Sequence, residues 1–578
     1  MHLKSHILLM MCLLAGMTAI GQEPQKSPLA IVDAGNGELE VHFEMPGIFL
    51  KSVGGGFLEL ACDGMVLGNG SVGSPDLPSL RTLLHLPEGN ILTVGELDGN
   101  EESYEGWLIF GEDNIPLTPV TEGWFKDREQ PGYEPDSALY ATDGWYRTGE
   151  PVEVEHLGRM GHEEIYRLTV HPVAYNPVRG DLKVWDRING KLKVEKGKIS
   201  PLASHLSSLS SHLLIVSRPE FREGLQPFVT WKRQEGFEVG ELYVDTHKRD
   251  SVKARLSEWY AGIPACGKPS ILIVGDAAQI QAFIGQTNVN GETHITDLYY
   301  GDFTGDYLPE AMVGRWPVND TAELHTVVAK TLRYEQFTDM DASQLRRLLA
   351  VAGSENTTPA PVTTNGQVRY VSREAKLAHS EMDTLCYRNP ASADQLENIK
   401  ADVGQGLGLL NYTAHCTVGG WTSPALSATG VEQAGASQPT VFVNNCCKSN
   451  DFGGTGFGEQ LLRMPMGGAV GVIGATNSTL WNEDYYWAVG PKYPLSLEPS
   501  YSDNARGAFD ALTGHRRTAA TLGELLTAGN LAVTAFGTSY DRLYWEIYCL
   551  LGDPTLRPWI GVPSLSYLLL PTSHSDLF

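Results

Sequence analysis

Basic charge and cysteine are both scarce in this sequence. The 578 residues carry 43 Lys and Arg against 69 Asp and Glu, a formal net charge of −26. No basic stripe of the kind that nucleic-acid-binding proteins use is present, so we expect no nucleic-acid partner. The 8 cysteines are sparse, with no CxxC pair and no His/Cys cluster at zinc-ligand spacing. The sequence therefore excludes a dense disulfide framework and a structural zinc site.

Long apolar runs are missing after the first residues. Lys4 gives a positive start, Ile7–Ile20 is predominantly apolar, and small residues precede Gln22. This pattern predicts a signal peptide over 1–21, and hence an exported protein that is periplasmic, displayed on the cell surface or secreted. A transmembrane anchor is the weaker alternative because the run is short. No other stretch is apolar enough to span a bilayer, so we expect no membrane span beyond the signal peptide.

Changes in composition and in hydrophobic pattern divide the chain into segments, and its length favours more than one domain. Residues 22–200 are rich in Gly, Pro and short alternating runs such as Leu39–Phe43, which predicts a β-rich domain. Residues 201–208 form a Ser-rich linker. From 209 to 560, short apolar runs alternate with helical patterns, including helices at about 371–383 and 394–404. That alternation is typical of a doubly wound α/β sheet, here in two halves, 209–345 and 346–560, with a short tail over 561–578.

Two predicted strands in the second half end beside reactive side chains. Leu409–Thr413 and Thr440–Val443 are short apolar runs, as expected of buried parallel strands. His415 follows the first run and Cys447 follows the second. Ligands and chemistry in open α/β sheets gather at the carboxyl ends of the strands. Adjacent strands would therefore bring a thiol nucleophile and an imidazole base to one edge.

The alternative is that His415 and Cys447 have only structural roles, since cysteine is usually a core residue. The context of Cys447 argues against this. It is followed by the polar residues 448–451 and preceded by Asn444 and Asn445. Backbone N–H groups at such a turn can bind a developing oxyanion.

Longer motifs around these residues give a specific resemblance. They occur in order along the second part of the chain: FVTWKRQEGF (228–237), DLYYGDFTGDYLPE (297–310), NYTAH (411–415), NNCC (444–447), FGEQLLR (457–463), WNEDYYWAVG (481–490) and YWEIYCLLGDP (544–554). The chain resembles the gingipain family of cysteine peptidases, and its lysine-specific members in particular. The resemblance implies a caspase-like fold for the α/β body. No motif is found in 22–200, where the family has a β-rich prodomain.

The resemblance also implies the catalytic residues. The family's nucleophile falls on Cys447, its histidine on His415, and the acid that orients the histidine on Glu355. The oxyanion would be held by the N–H groups of Cys416 and Cys447. Cys416 departs from the family, which has glycine there, and a disulfide from Cys416 to Cys446 or Cys447 would silence the enzyme.

A lysine-binding pocket is implied by the same comparison. Asp484, in WNEDYYW, matches the acid that receives the substrate ammonium. Thr413 and Asn445 match residues that line the pocket, and Trp481 matches a wall for the aliphatic stem. A surface acid beside aromatic residues is the alternative for Asp484. Leu480 departs from the family, which has tyrosine there.

A calcium site is the remaining implied feature, and no organic cofactor is expected. Asp306, Glu310 and the carbonyl of Leu308 fall on the family's calcium loop, and oxygen ligands suit that ion. Thr304 replaces the first acid of the loop, which lowers the expected affinity.

The sequence as a whole predicts an exported cysteine endopeptidase, made as a zymogen, that cleaves after lysine. Its partners would be protein or peptide substrates and its own prodomain, acting as inhibitor. The Lys-rich stretch 191–198 is either a solvated hairpin or a self-cleavage junction. Two alternatives remain: a sortase-type peptidase of the same family that serves a secretion system, and a catalytically inactive binding relative. Residues 560–578 are too few for the family's immunoglobulin-like domain and C-terminal secretion signal, so the route beyond the inner membrane stays open.

Overall fold

A computed structural model describes residues 28–35, 37–196, 211–264, 267–289, 291–355, 360–389, 395–491, 495–499, 507–513 and 520–561. The predicted signal peptide (1–21), the predicted linker (201–208) and the chain after residue 561 lie outside the described residues. Within the described residues, no helix has the length and apolar character needed to cross a membrane.

The first part of the described chain is built almost wholly of antiparallel strands. Its elements are β1 (Leu29–Gly35), β2 (Glu38–Glu44), β3 (Ile48–Ser52), β4 (Leu58–Cys62), β5 (Leu80–Pro87), β6 (Asn90–Tyr104), β7 (Ile109–Phe110), β8 (Asp113–Asn114), α1 (Ser137–Tyr140), β9 (Val152–Met160), β10 (Glu163–Val170), β11 (Val173–Asn176) and β12 (Asp181–Lys196). One sheet has the order β1-β2-β12-β11 with β6 also on β12, and a second has the order β5-β10-β9. In β2 the buried Val41 and Phe43 alternate with exposed residues, which is the period of a strand that covers a core.

The remaining chain alternates strands with helices. Its first elements are β13 (Ser211–Ser217), α2 (Arg222–Gln234), β14 (Glu238–Tyr243), α3 (Arg249–Tyr260), β15 (Lys268–Val274), β16 (Phe283–Ile284), β17 (Ile295–Thr296), α4 (Leu298–Gly301), β18 (Met312–Trp316), α5 (Thr321–Glu335), α6 (Ala342–Leu345) and β19 (Arg347–Ala352). The next are α7 (Ala360–Ala378), β20 (Asp383–Tyr387), α8 (Gln395–Gly404), β21 (Leu409–Thr413), β22 (Cys416–Thr417), β23 (Gly420–Thr422), β24 (Ala425–Leu426), α9 (Ala428–Ala434) and β25 (Thr440–Asn445). The last are α10 (Phe457–Arg463), β26 (Ala469–Ala475), α11 (Trp481–Val489), α12 (Ala508–Thr513), α13 (Leu522–Phe536), α14 (Asp541–Ile547) and β27 (Tyr548–Gly552).

One ten-stranded sheet organises this second part. Its order is β14-β13-β15-β18-β27-β26-β25-β21-β19-β20. Neighbouring strands run parallel except β26 and β27, which are antiparallel. Strands β13, β14, β15 and β18 form one side of the sheet, and β19, β20, β21, β25 and β26 form the other. The late strand β27 lies between them, so the two predicted halves share one continuous sheet.

Helices cover both faces of the sheet and bury two large apolar clusters. All seven residues of β26 are buried, as are all five of β21. Strands that are buried on both faces need an apolar residue at nearly every position, because neither face meets water. This explains why the apolar runs in the sequence marked these strands, and it confirms the predicted α/β class.

Two sequence predictions need correction. The helix placed at about 371–383 is α7, Ala360–Ala378, and Asp383–Tyr387 is the edge strand β20. The self-cleavage alternative for the Lys-rich stretch does not fit its first part, where the lysine side chains are exposed but the backbone is paired inside a sheet. Lys191 and Lys193 lie in β12, which pairs with β2 on one side and β6 on the other. Lys198 lies outside the described residues.

Candidate active site

Three neighbouring parallel strands bring the predicted catalytic residues to one edge of the sheet. In the β19-β21-β25 register, Ala352 pairs with Thr413, and Thr413 pairs with Asn445. Glu355, His415 and Cys447 each follow the last paired residue of their strand by two or three positions. We call these three residues the rim. The parallel pairing of the strands, rather than any closeness in sequence, assembles them.

His415 is held by an acid. Its Nε2 lies 2.9 Å from Glu355 Oε2. Because a carboxylate only accepts hydrogen bonds, Nε2 is the nitrogen that donates, which leaves Nδ1 to take a proton. The backbone of Glu355 is fixed in turn by Asn389, whose Nδ2 donates to the Glu355 carbonyl at 2.8 Å. The ring of Trp481 meets the imidazole edge to face, with centroids 5.0 Å apart.

Cys447 is a free thiol, 5 % exposed. Its Sγ accepts the Thr479 N–H at 3.4 Å and lies 3.8 Å from Thr479 Oγ1. In the described part of the chain no hydrogen bond joins this sulfur to His415. Burial raises the pKa of Cys447 above its ordinary value, while the nearby ammonium of Lys126 acts in the opposite direction. A cation beside the thiol favours the thiolate, which is the reactive form.

Among the described residues, the backbone N–H groups of Cys416 and Cys447 are both left without a strand partner. Cys416 and Trp421 lie opposite each other in the β22–β23 hairpin. The Thr422 N–H donates to the His415 carbonyl at 3.1 Å, and this bond between the neighbouring residues makes Cys416 and Trp421 a non-hydrogen-bonded antiparallel pair. The Cys416 N–H therefore points away from its partner strand. Within the described residues, the Cys447 N–H donates to no backbone carbonyl either. These are the two donors predicted for an oxyanion.

Cys416 is disulfide-bonded to Cys446, with their Cα atoms 5.3 Å apart. The sequence analysis expected a bond from Cys416 to either cysteine of the pair to silence the site. The bond is made to Cys446 and leaves the thiol of Cys447 free, so it does not consume the predicted nucleophile.

Asp484 lies behind the rim, on the first turn of α11, and is fully buried. Its Oδ1 accepts the hydroxyls of Tyr544 at 2.8 Å and Tyr548 at 2.5 Å. Its Oδ2 accepts the hydroxyl of Thr479 at 2.9 Å. The carboxylate, the three hydroxyls, Asn445 and Trp481 together form what we call the Asp484 pocket.

A lysine from the N-terminal β domain fills this pocket. The Nζ of Lys126 lies 2.5 Å from Asp484 Oδ2, and both side chains are fully buried. The same ammonium donates to the Asn445 carbonyl at 2.7 Å and lies 5.0 Å from the centroid of the Trp481 ring. An acid, a carbonyl and an aromatic face are the three partners that an ammonium group prefers.

The backbone around Lys126 pairs with the segment before α11. The Lys126 N–H donates to the Thr479 carbonyl at 2.9 Å, and the Trp481 N–H donates to the Trp124 carbonyl at 3.0 Å. Phe125 and Leu480 form the antiparallel bridge between these bonds. An extended segment that adds itself to a strand edge and places one side chain in a pocket is a common mode of peptide recognition.

Comparison with known proteins places this arrangement in a family. A family model described as Peptidase family C25 matches residues 207–559, more than half of the chain. The chain belongs to peptidase family C25. The match begins just before β13, at the start of the α/β body, and runs past β27.

Individual relatives agree with this assignment. The chain is 28% identical to Lys-gingipain of Porphyromonas gingivalis in an alignment of 574 residues that covers 91% of this chain and 32% of that protein. It is 23% identical to gingipain R2 of the same species over 286 residues, covering 47% of this chain and 38% of that one. The chain therefore spans about a third of the length of these curated relatives.

Solved structures carry the same fold. A protease structure matches with a TM-score of 0.55 at 28% identity, covering 61% of this chain and 80% of that one. The Arg-specific gingipain R structure matches with a TM-score of 0.51 at 19% identity, covering 63% and 82%. The caspase-like fold expected from the sequence is confirmed.

The C25 site contains residues that the sequence analysis missed. Thr479, Tyr544 and Tyr548 contact the carboxylate of Asp484, and Lys126 fills the pocket. The tyrosines stand four positions apart in the motif YWEIYCLLGDP, so a shared face could have been inferred. Nothing in the sequence around Lys126 distinguished it from other lysines, because its partner Asp484 is 358 positions away.

The predicted pocket residues Thr413 and Asn445 lie side by side at the strand ends, and both are fully buried. Asn445 contributes its carbonyl to the Lys126 ammonium, while its side-chain oxygen accepts from Asn411 Nδ2 at 3.1 Å. The hydroxyl of Thr413 has no hydrogen-bond partner among the described residues.

The predicted calcium loop is held by protein donors. Asp306 accepts the N–H groups of Leu308 at 3.0 Å and of Arg159 at 2.9 Å. Glu310 accepts the Phe303 N–H at 2.6 Å and the Thr304 hydroxyl at 2.7 Å, and Arg159 Nε lies 3.7 Å from it. Over the described residues, no group of three or more His, Cys, Asp and Glu has an arrangement suited to a metal ion. Both carboxylates of the loop already accept protein hydrogen bonds, and calcium binding stays a prediction.

Proposed function

We propose that this chain is a cysteine endopeptidase that cleaves peptide bonds after lysine. The observation that carries the proposal is the position of Lys126. Its ammonium lies on Asp484 while its backbone pairs with Thr479, which also touches the sulfur of Cys447. A substrate lysine bound in the same way would present its carbonyl to the rim.

The hydrogen bonds of Asp484 support lysine over arginine. Two tyrosine hydroxyls already occupy Oδ1, so Oδ2 is the oxygen left for a substrate cation. A guanidinium gains most from a carboxylate when it binds both oxygens in parallel. An ammonium is a compact charge that needs only one. The pocket therefore suits the shape of lysine and withholds the second oxygen from arginine.

The mechanism follows from the rim. His415 takes the proton of Cys447, and the thiolate attacks the carbonyl carbon that follows the substrate lysine. The Cys416 and Cys447 N–H groups hold the oxyanion. His415 then gives its proton to the leaving amine, and a water molecule hydrolyses the thioester. Glu355 orients the imidazole and stabilises its charged form throughout.

We also infer that the chain is made as a zymogen, with the N-terminal β domain as its inhibitor. Lys126 blocks the pocket as a substrate would, but the chain turns back at once. The Arg128 N–H donates to the Phe125 carbonyl, and the Trp124 indole N–H donates to the Arg128 carbonyl. This turn removes the segment from the cleft directly after Lys126, which is unfavourable for cleavage.

Export accompanies this proposal. The signal-like segment 1–21 supports it from the sequence, and the Cys416–Cys446 bond supports it from the structure. Disulfides form and persist in oxidising compartments, and they are rare in the reducing cytosol.

The first test is cleavage of matched peptides that carry Lys, Arg or Ala before a reporter amide, using the 22–578 chain with Lys126→Ala, which leaves the pocket open, and the same chain with Cys447→Ala added. We expect release after Lys only, and none once Cys447→Ala is added. Cys62→Ala is the matched control, because Cys62 is also a buried free cysteine but lies in the N-terminal β domain. Equal release after Arg would refute the role of Asp484. No release from a chain freed of residues 23–200 would favour the inactive relative.

Latency has its own test at Gly123. A Cβ at this position would lie 2.3 Å from Leu480 Cδ2 and from Tyr540 Cε2, so any side chain displaces the segment that carries Lys126. Gly123→Leu should therefore raise the activity of the full chain before any processing. Gly132→Leu is the control, because a Cβ there meets nothing within 4 Å. Equal activity in the two variants would contradict the inhibitory role.

A further inference from the structure

The disulfide lies directly beside both catalytic residues. Cys416 is the residue after His415, and Cys446 is the residue before Cys447. Both cysteines of the bond belong to the large apolar cluster on one face of the sheet. The bond therefore joins the two chain segments that carry the imidazole and the thiol, at the place where those segments leave the sheet.

The strand ladder alone does not extend this far. The pairing of β21 with β25 ends at Thr413 and Asn445. Beyond that pair, one segment enters the β22–β23 hairpin and the other enters the turn at 446–450. The Trp421 indole N–H donates to Asn444 Oδ1 at 3.2 Å and links the hairpin to the end of β25. The disulfide is the covalent link between the same two segments.

The two predicted oxyanion donors lie at the two ends of this link. One is the N–H of Cys416 itself. The other is the N–H of Cys447, which belongs to the peptide group that Cys446 and Cys447 share. Linking Cys416 to Cys446 therefore restricts the distance between the two N–H groups. Donors stabilise a transition state most when they are held in place before the charge develops.

We propose that the Cys416–Cys446 disulfide positions the oxyanion hole, so that opening it lowers turnover more than substrate binding. This inference rests on the proposed peptidase function. The two cysteines act through the backbone they hold and are positioning residues, while Cys447 remains the nucleophile.

The test compares Cys416→Ala/Cys446→Ala with its parent, both in a full chain that also carries Lys126→Ala to leave the pocket open. Relative to that parent, we expect kcat to fall at least about tenfold, because displaced donors lose much of the stabilisation that an oxyanion hole supplies. KM for a lysine peptide should change by less than about threefold, since the Asp484 pocket is intact. Cys62→Ala in the same background is the matched control.

A peptide ending in a lysine aldehyde separates positioning from general structural damage. The thiol adds across the aldehyde carbonyl, which creates the oxygen that the two N–H groups bind. We expect inhibition by the aldehyde to weaken in parallel with kcat in the double variant. A double variant with kcat within about twofold of the parent, and with unchanged aldehyde inhibition, would overturn the proposal. If the Lys126→Ala parent chain cleaves no peptide, the proposed peptidase function is refuted, and this inference is refuted with it.

Chemical reduction gives a second measurement if the double variant folds poorly. A dithiol reductant reduces the Cys416–Cys446 bond to two cysteine thiols, and the reagent is oxidised to its own cyclic disulfide. Alkylation and mass spectrometry then give the fraction of chains reduced at residues 416 and 446. We expect kcat of the Lys126→Ala chain to fall in proportion to that fraction and to recover on reoxidation. A kcat that is independent of the fraction would refute the role of the bond.

Discussion

The rim and the Asp484 pocket lie at the same edge of the sheet but differ in exposure and in hydrogen bonding. The side chains of His415 and Glu355 are about a quarter exposed, at 26 % and 22 %, whereas Asp484 is completely buried. Among the described residues, the thiol of Cys447 contacts Thr479 and makes no hydrogen bond to His415. Asp484, in contrast, accepts three protein hydroxyls.

This difference separates the two tasks of the site. A group that recognises a charge can be fixed in advance, because its partner has the same form before and after the reaction. A buried carboxylate also needs its hydrogen bonds at all times, since an unsatisfied buried charge is very unfavourable. Groups that move protons need room and contact with the substrate, and their hydrogen bonds often shorten only when substrate is bound. We therefore expect changes in the pocket to alter selectivity and changes in the rim to alter turnover.

The largest effect should come from Asp484→Asn. This change keeps the size of the side chain but removes the charge that faces the ammonium. Because the partner cation would be left buried without its counter-charge, we expect kcat/KM for lysine peptides to fall by about 10³-fold. Peptide cleavage rates on the Lys126→Ala background measure the effect. A fall of less than about tenfold would place the recognition of lysine elsewhere.

Glu355→Gln should reduce turnover and leave binding intact. The amide cannot stabilise a charged imidazole as the carboxylate does, so we expect kcat to fall by about 10²-fold while KM stays within about threefold. Steady-state kinetics with one lysine peptide are sufficient. Asn389→Asp is a useful comparison, because Asn389 holds the backbone of Glu355 and not its carboxylate. A large rise in KM in Glu355→Gln would contradict the assignment of turnover to the rim and of substrate binding to the pocket.

Tyr548→Phe should change the choice between lysine and arginine. It removes one of the two hydroxyls on Asp484 Oδ1 and makes that oxygen more available to a guanidinium. We expect the ratio of arginine to lysine cleavage to rise by about tenfold, the size of one hydrogen bond to a charged group. Tyr485→Phe is the control, because the Tyr485 hydroxyl meets the Ser496 carbonyl instead. An unchanged ratio would remove Tyr548 from the account of specificity.

The smallest effect concerns the thiol itself. The ammonium of Lys126 lowers the pKa of Cys447, against the effect of burial, which raises it. Lys126→Met keeps an apolar stem in the pocket and removes the charge. The pH midpoint for alkylation of Cys447 in the full chain should therefore move to higher pH. A midpoint that stays in place or moves to lower pH would show that the pocket and the thiol are electrically independent.

Sequence patterns predicted the strands of the α/β body better than its helices. Strands buried on both faces appear as continuous apolar runs, and β15, β19, β21, β25 and β26 all follow such runs. Helix α7 was displaced in the prediction because its first turns, APVTTNG, are poor helix formers. Packing decides there: Thr363, Thr364 and Gln367 are buried against the body, so tertiary contacts outweigh intrinsic propensity.

The fold class, the family and the three residues of the rim could be predicted from the sequence, because they depend on local apolar runs and on motifs that remain intact. The tertiary structure alone decided which cysteine pairs with Cys416, which hydroxyls occupy Asp484, and that Lys126 fills the pocket. Each of these contacts joins residues from distant parts of the chain, up to 358 positions apart in the case of Lys126 and Asp484. Such contacts arise from the order of strands in the sheet and from the docking of the N-terminal β domain. Neither the strand order nor the docking of this domain can be predicted from a local sequence pattern.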